Sequence, residues 1–124
     1  MNTWLLVFLG GGIGSICRFA IAQLLGTLSL HFPWATLFAN LISCLVLGYL
    51  LGLSGRGLMD QNLKYLLMTG FCGGFSTFST FSGETLGLFQ KGQPELGLLN
   101  IGLSVALCLF CIFLGLKIEE AWLH

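Results

Sequence analysis

The sequence predicts an all-α integral membrane protein with four transmembrane helices, and three observations carry that expectation. Of the 124 residues, 56% are hydrophobic and only 8% charged, against the ~25% charge of an ordinary soluble domain. The mean hydropathy is +0.92. The apolar residues gather into runs near the ~20 residues that a bilayer core requires of a helix, with short polar seams between them. Five basic and five acidic side chains cancel to zero net charge. They cannot clothe a soluble globule, build a nucleic-acid-binding patch or keep a disordered tail solvated. A water-soluble catalyst is therefore excluded at the outset, and the length leaves room for a single transmembrane domain, 1–124.

The first run covers residues 4–25 and is interrupted only by Arg18 and Gln23. It lacks a basic start, exceeds the length of a signal-peptide core and puts Arg18 where a cleavage site belongs, so it predicts a retained helix. The second covers 34–53, with Asn40 its most polar member. The third, 63–89, is laced with Ser, Thr, Gly and Glu84; the fourth, 96–118, is apolar apart from Asn100 and Ser104. Residues 29–33, 54–62 and 90–95 form the seams, and Lys117, Glu119 and Glu120 close the last helix. With these crossings Met1, Arg56, Lys64 and Lys117 share one side, while Lys91 and Arg18 fall near the other. That division of basic side chains is too even to orient the chain. Ordinary insertion competes with dual insertion, in which a chain pairs with an inverted copy to build the two-fold symmetry of many transporters. On charge alone the two stand level.

Eighteen glycines cluster inside the runs. Gly10 and Gly14, Gly48 and Gly52, and Gly70 and Gly74 are spaced for close helix contact, because small residues let backbones meet where lipid offers no hydrophobic drive. Packing alone explains Gly73 and Gly74 poorly, since each glycine costs a helix about 1 kcal/mol relative to alanine. Irregular backbone at membrane depth survives only where protein or a polar cavity covers it. The third helix is therefore expected to break around Gly73–Gly74, freeing carbonyls that could coordinate a cation.

Directly afterwards comes a three-residue repeat, Phe75-Ser76-Thr77-Phe78-Ser79-Thr80-Phe81-Ser82. On a continuous helix Phe75, Phe78 and Phe81 would share one face, flanked by the hydroxyls of Ser76, Thr77, Ser79 and Thr80. Such hydroxyls can bond back to their own turn. Four of them beside Glu84 point instead to a polar pathway, since polar groups in membranes face bundle interiors or water. A cation or proton route would want acids, and Glu84 is the only one within a run. The groups on offer are donors, from Asn40, Asn100, Ser76, Thr77, Ser79, Thr80 and Ser104, together with electropositive phenyl edges. That set favours a small anion passed between several loose contacts as it sheds water. It leaves organic substrates open.

The stretch from Gly70 to Ser82, GFCGGFSTFSTFS, resembles the signature of the Fluc/CrcB family of fluoride channels. Gly11-Gly12-Ile13-Gly14 with Arg18-Phe19 in the first run, and Thr36-Leu37 with Asn40, Gly48 and Gly52 in the second, extend the likeness over three runs in the family's order. The resemblance implies a passive, fluoride-selective channel of a bacterial inner (plasma) membrane that exports fluoride and lowers its toxicity. It implies an antiparallel, dual-topology homodimer, each chain partnered by an inverted second copy. Phe78 and Phe81 fall at the family's pore-lining phenylalanines, and Asn40 at its pore asparagine, beside the donors Thr77, Ser79, Thr80 and Ser104. A structural sodium ion is implied at the dimer centre, held by backbone carbonyls at Gly73 and Ser76. Arg18 and Glu84 match charged positions near the pore entrances, with electrostatic roles. Ser76 departs from the family's usual threonine, Ser43 from a common glycine and Asn100 from a frequent tyrosine, which leaves the polar track along the fourth helix open.

Other motifs are set aside. Cys108-Leu109-Phe110-Cys111 has a metal-like spacing but lies in an apolar helix without a second pair or a histidine, so its thiols read as packing residues. Cys17, Cys44 and Cys72 share no ligand spacing, and all five thiols suit a reduced or lipid-buried setting. His31 and His124 are solitary. No nucleophile with its base and no carboxylate pair points to an enzyme. A small proton-coupled drug exporter would need an acid in its first helix, where this chain has Arg18; a non-transporting accessory protein would use its polar groups only for helix contacts.

Overall fold

A computed structural model of the chain describes residues 2–26 and 32–122; Met1, Ser29, His31 and His124 lie outside the described residues. Those described are mostly helical, and no strand occurs among them. In chain order they form α1 (Thr3–Gly26), α2 (Trp34–Gly55), α3 (Gln61–Leu63), a π-helical stretch (Lys64–Cys72), α4 (Gly73–Phe75), α5 (Phe78–Gln90) and α6 (Pro94–Trp122).

Local chemistry sets the ends of these elements. Asn2 Oδ1 accepts the Trp4 amide at 2.7 Å at the start of α1, and Asp60 Oδ1 accepts the Leu63 amide at 2.8 Å at the start of α3, each meeting a helix donor that has no partner within the helix. α6 opens on Pro94, whose missing N–H costs nothing in a first turn. α2 and α5 stop in the same way. Gly57 (φ 73°) and Gly92 (φ 75°) take the left-handed conformation, and the following amides reach back, Leu58 to the Leu53 carbonyl at 3.0 Å and Gln93 to the Leu88 carbonyl at 2.9 Å.

Glycines then decide which helices touch. A methyl group at Gly10 would strike the Leu66 carbonyl, one at Gly14 the Phe71 carbonyl and one at Gly74 the Gly11 carbonyl, so α1 runs alongside residues 64–75 in the same direction. Elsewhere a methyl at Gly48 would meet the Ile112 carbonyl, and one at Gly52 the Glu119 side chain, so α2 and α6 also run the same way. α5 and α6 run oppositely: Thr85 meets Asn100, and Gly97 packs on the Phe89 ring. Small residues spaced four apart give this contact when lipid supplies no hydrophobic drive.

α1, α2 and α6 are long and apolar enough to cross a membrane. Phe8, Leu24, Leu109 and Phe110 on these helices each leave more than half their surface exposed, an apolar exterior that suits lipid and marks a membrane protein. The run expected over 63–89 is divided among shorter elements. Its interruption does not fall at Gly73–Gly74, which are helical (Gly73 φ −64°, ψ −35°). The extended residues are Ser76 (ψ 155°) and Thr77 (φ −148°, ψ 118°). The glycines serve the approach to α1 instead. The single stripe expected of Phe75, Phe78 and Phe81 is divided for the same reason: Phe75 is buried with its ring 5.4 Å from Phe71, whereas Phe78 and Phe81 pair at 5.5 Å beyond the break.

The last helix holds a further difference. Glu119, expected among the polar residues at its end, is 2% exposed and ion-paired to Arg56 from the end of α2. Gly52 leaves the space its carboxylate occupies.

Candidate functional site

The site is organised by the two extended residues. Where the helix stops, Thr77 restarts it: Thr77 Oγ1 accepts the Thr80 amide at 3.2 Å, capping α5. Asn40 reaches across from α2 and replaces what the helix no longer supplies. Its Oδ1 accepts the Thr77 amide at 2.8 Å, and its Nδ2 donates to the Thr77 carbonyl at 3.4 Å. The Gly73 carbonyl, which a continuous helix would pair with that amide, is released, and so is the Ser76 carbonyl now that the Thr80 amide turns to Thr77 Oγ1. Neighbouring carbonyls find other donors. Gly74 O accepts from Arg18 Nε at 3.2 Å and Ser15 Oγ at 3.5 Å. Cys72 O accepts from Ser43 Oγ at 3.0 Å and Ser76 Oγ at 2.9 Å.

An open cavity of about 260 Å³ lies against this break, lined by Asn40, Ser76, Thr77, Phe78, Phe81 and Ser104, with Cys44, Val105 and Cys108. The structure thus brings six of the residues singled out in sequence to one place, from three helical segments. Phe78 is 78% exposed and forms an open wall. Asn40 Nδ2 carries a second N–H beyond the one given to Thr77. The hydroxyls are differently disposed from the expected row of donors, because several direct their protons at protein acceptors. Ser76 Oγ bonds back to its own turn, and Ser104 Oγ donates to Asn100 Oδ1 at 3.2 Å. Asn100 Nδ2 in turn donates to Thr85 Oγ1 at 2.8 Å, and Thr85 Oγ1 to the Phe81 carbonyl at 2.7 Å. This buried chain ties α6 to the Phe81 turn, so Asn100 braces the polar track that its place in the sequence left open.

A second cavity, of about 140 Å³, shares Thr77 and is lined also by Arg18, Phe19, Ala22, Ala35, Thr36, Thr80 and Glu84. Arg18 and Glu84 therefore line one cavity with Thr77, to which Phe78 and Phe81 do not contribute. Glu84 Oε1 is buried with no hydrogen-bond partner among the described residues. Ser79 lines neither cavity; it is exposed and within 3.3 Å of Thr77 Oγ1. Thr85 and Ser43 were not singled out as site residues, because a lone hydroxyl in an apolar run gives no sign of a partner on another helix.

The family model described as "CrcB-like protein, Camphor Resistance (CrcB)" matches residues 5–116. The chain belongs to the CrcB-like family. Curated CrcB-like relatives include a protein of Thermus thermophilus, 41% identical over 98% of this chain and 98% of its own length. Another, of Pyrococcus furiosus, is 43% identical over 89% of each chain, and a third, of Aeromonas salmonicida, is 38% identical over 95% of this chain and 96% of its own. Each is named "Fluoride-specific ion channel FluC". The CrcB-like proteins are thus channels rather than enzymes, and this member has the helical, lipid-facing build such a role needs.

Proposed function

We propose that this chain is a passive fluoride channel that crosses the membrane four times and works as an antiparallel, dual-topology homodimer. In a bacterial inner membrane it would let fluoride leave the cytoplasm and so lower its toxicity. The observation that carries the reading is the cavity at the break, where Asn40 and the Phe78 and Phe81 rings meet, in a chain whose full-length relatives are named fluoride channels. The parallel register of α1 with residues 64–75, and of α2 with α6, supports four alternating crossings. An anion there would exchange water for the free Asn40 N–H and the positive ring edges. Arg18 and Glu84 would set the field in the adjoining cavity.

The second copy is supported by what one chain leaves incomplete. Phe78 is largely exposed and the cavity has an open side. The released Gly73 and Ser76 carbonyls fit a sodium ion chemically, being neutral hard oxygens; among the described residues no three side chains of His, Cys, Asp or Glu converge, so a cation here would rely on backbone. Two such carbonyls are too few for one ion, and an inverted copy would double them. Sodium would then act as a structural link between the chains.

Reconstitution tests the reading. Purified protein in liposomes is expected to pass fluoride without passing chloride and without proton dependence. No fluoride movement would overturn it. Proton-coupled efflux of a cationic compound would favour the exporter, which α1 argues against by carrying Arg18 and no acid.

A further inference from the structure

The cavity contains two groups that conduction does not use. Cys44 on α2 and Cys108 on α6 both line it, and both are free thiols, half-buried. Their pairing follows from the packing. Gly48 sits against the Ile112 carbonyl, and each cysteine lies one helical turn before its member of that contact. In parallel helices the two side chains therefore face each other across the interface, where both line the same cavity. Gly48, which lets the backbones touch, is what brings the sulfurs together. Cys111, the other half of the Cys-x-x-Cys, does not line the cavity.

We propose that Cys44 and Cys108 form a two-sulfur site for a soft, thiophilic cation such as Hg²⁺ or Cu⁺, and that its occupation obstructs the candidate fluoride path. The obstruction rests on the channel reading; the site itself does not. Two thiolates suffice for such ions, which favour sulfur over the oxygen and nitrogen around them. Binding is a ligand exchange: two S–H bonds break and their protons leave to solvent, two water or chloride ligands leave the metal, two S–metal bonds form, and no oxidant is required. The bound cation would sit beside Asn40, Ser104 and the Phe78–Phe81 pair, where it fills space and holds α2 to α6.

The test uses mercuric chloride on the full-length protein. Titration of the purified chain is followed by the ultraviolet sulfur-to-mercury absorption, and fluoride efflux from liposomes is read at each metal concentration against the metal-free value of the same preparation. One tight equivalent per chain is expected, with efflux falling as it fills. Cys44→Ala and Cys108→Ala should each weaken this binding about a hundredfold, the low end of what a second tethered ligand confers, and shift the inhibition equally. Cys17→Ala and Cys111→Ala should leave both curves in place. Wild-type affinity no tighter than that of Cys108→Ala would overturn the site. Efflux that continues with the site filled would overturn the obstruction. If no preparation moves fluoride, the channel reading fails, while the absorption titration still decides whether the pair binds metal.

Discussion

Asn40 is the residue through which the break and the cavity are most directly coupled, and two substitutions separate its duties. Asn40→Ala removes both hydrogen bonds to Thr77. An unmet buried polar group costs about 1–3 kcal/mol. Thr77 is only half-buried and its carbonyl bond is long at 3.4 Å, so the pair of losses should come to about 2 kcal/mol. A domain of this size should then melt several degrees lower. Asn40→Asp keeps an acceptor for the Thr77 amide and should lose less stability, but it places a fixed charge at the cavity wall. An anion passing about 4 Å from a carboxylate meets about 4 kcal/mol of repulsion at an effective dielectric constant near 20. The open side of the cavity should screen part of this, leaving roughly 1–3 kcal/mol, a tenfold to hundredfold drop in fluoride efflux. Thermal melting of purified protein and electrode-detected efflux from liposomes measure the two effects. Wild-type melting of Asn40→Ala would refute the brace, and undiminished conduction through Asn40→Asp would refute the placement of the pathway.

Three further outcomes are expected. Phe78→Ile and Phe81→Ile should each depress fluoride efflux while leaving folded protein, since Phe78 buries little within one chain; near-normal efflux in both would remove the role of the ring edges. Gly48→Ala forces a methyl into the Ile112 carbonyl and should cost about 1–3 kcal/mol of stability, whereas Gly55→Ala, also in α2 but meeting nothing within 4 Å, should melt at or slightly above wild type; equal melting of both would show that α2 and α6 are not in backbone contact there. Glu119→Gln takes the charge from the Arg56 pair and should lower stability by about 1–3 kcal/mol, less than a fully buried pair because Arg56 keeps 32% of its side chain exposed; an unchanged melting temperature would mean the pair is neutral to stability.

The small-residue spacing in the sequence foretold close contacts at Gly10, Gly14, Gly48 and Gly74, and the structure identifies the backbone each one touches. The position of the break was misjudged by two to three residues. Glycine signals permissive backbone, but Gly73 and Gly74 can also be helical, and here close approach to α1 is their use. What meets the backbone where the chain extends is a pair of hydrogen bonds between Thr77 and Asn40, one in each direction, 37 residues apart in sequence. The hydroxyl row was likewise legible as polar, but not the direction in which each proton points, because Ser104, Asn100 and Thr85 form a chain only once α5 and α6 are side by side.

By itself the sequence determined the membrane-embedded helical class, because hydropathy and run length act locally and need no partner. It also determined the family, since the Gly-Phe-Ser-Thr repeat is contiguous. Tertiary structure alone decided which groups meet: Asn40 with Thr77, Arg56 with Glu119, and Asn100 with Thr85. Each of those pairings joins distant segments and depends on a helix register set by glycine contacts, a quantity that no local pattern of residues encodes.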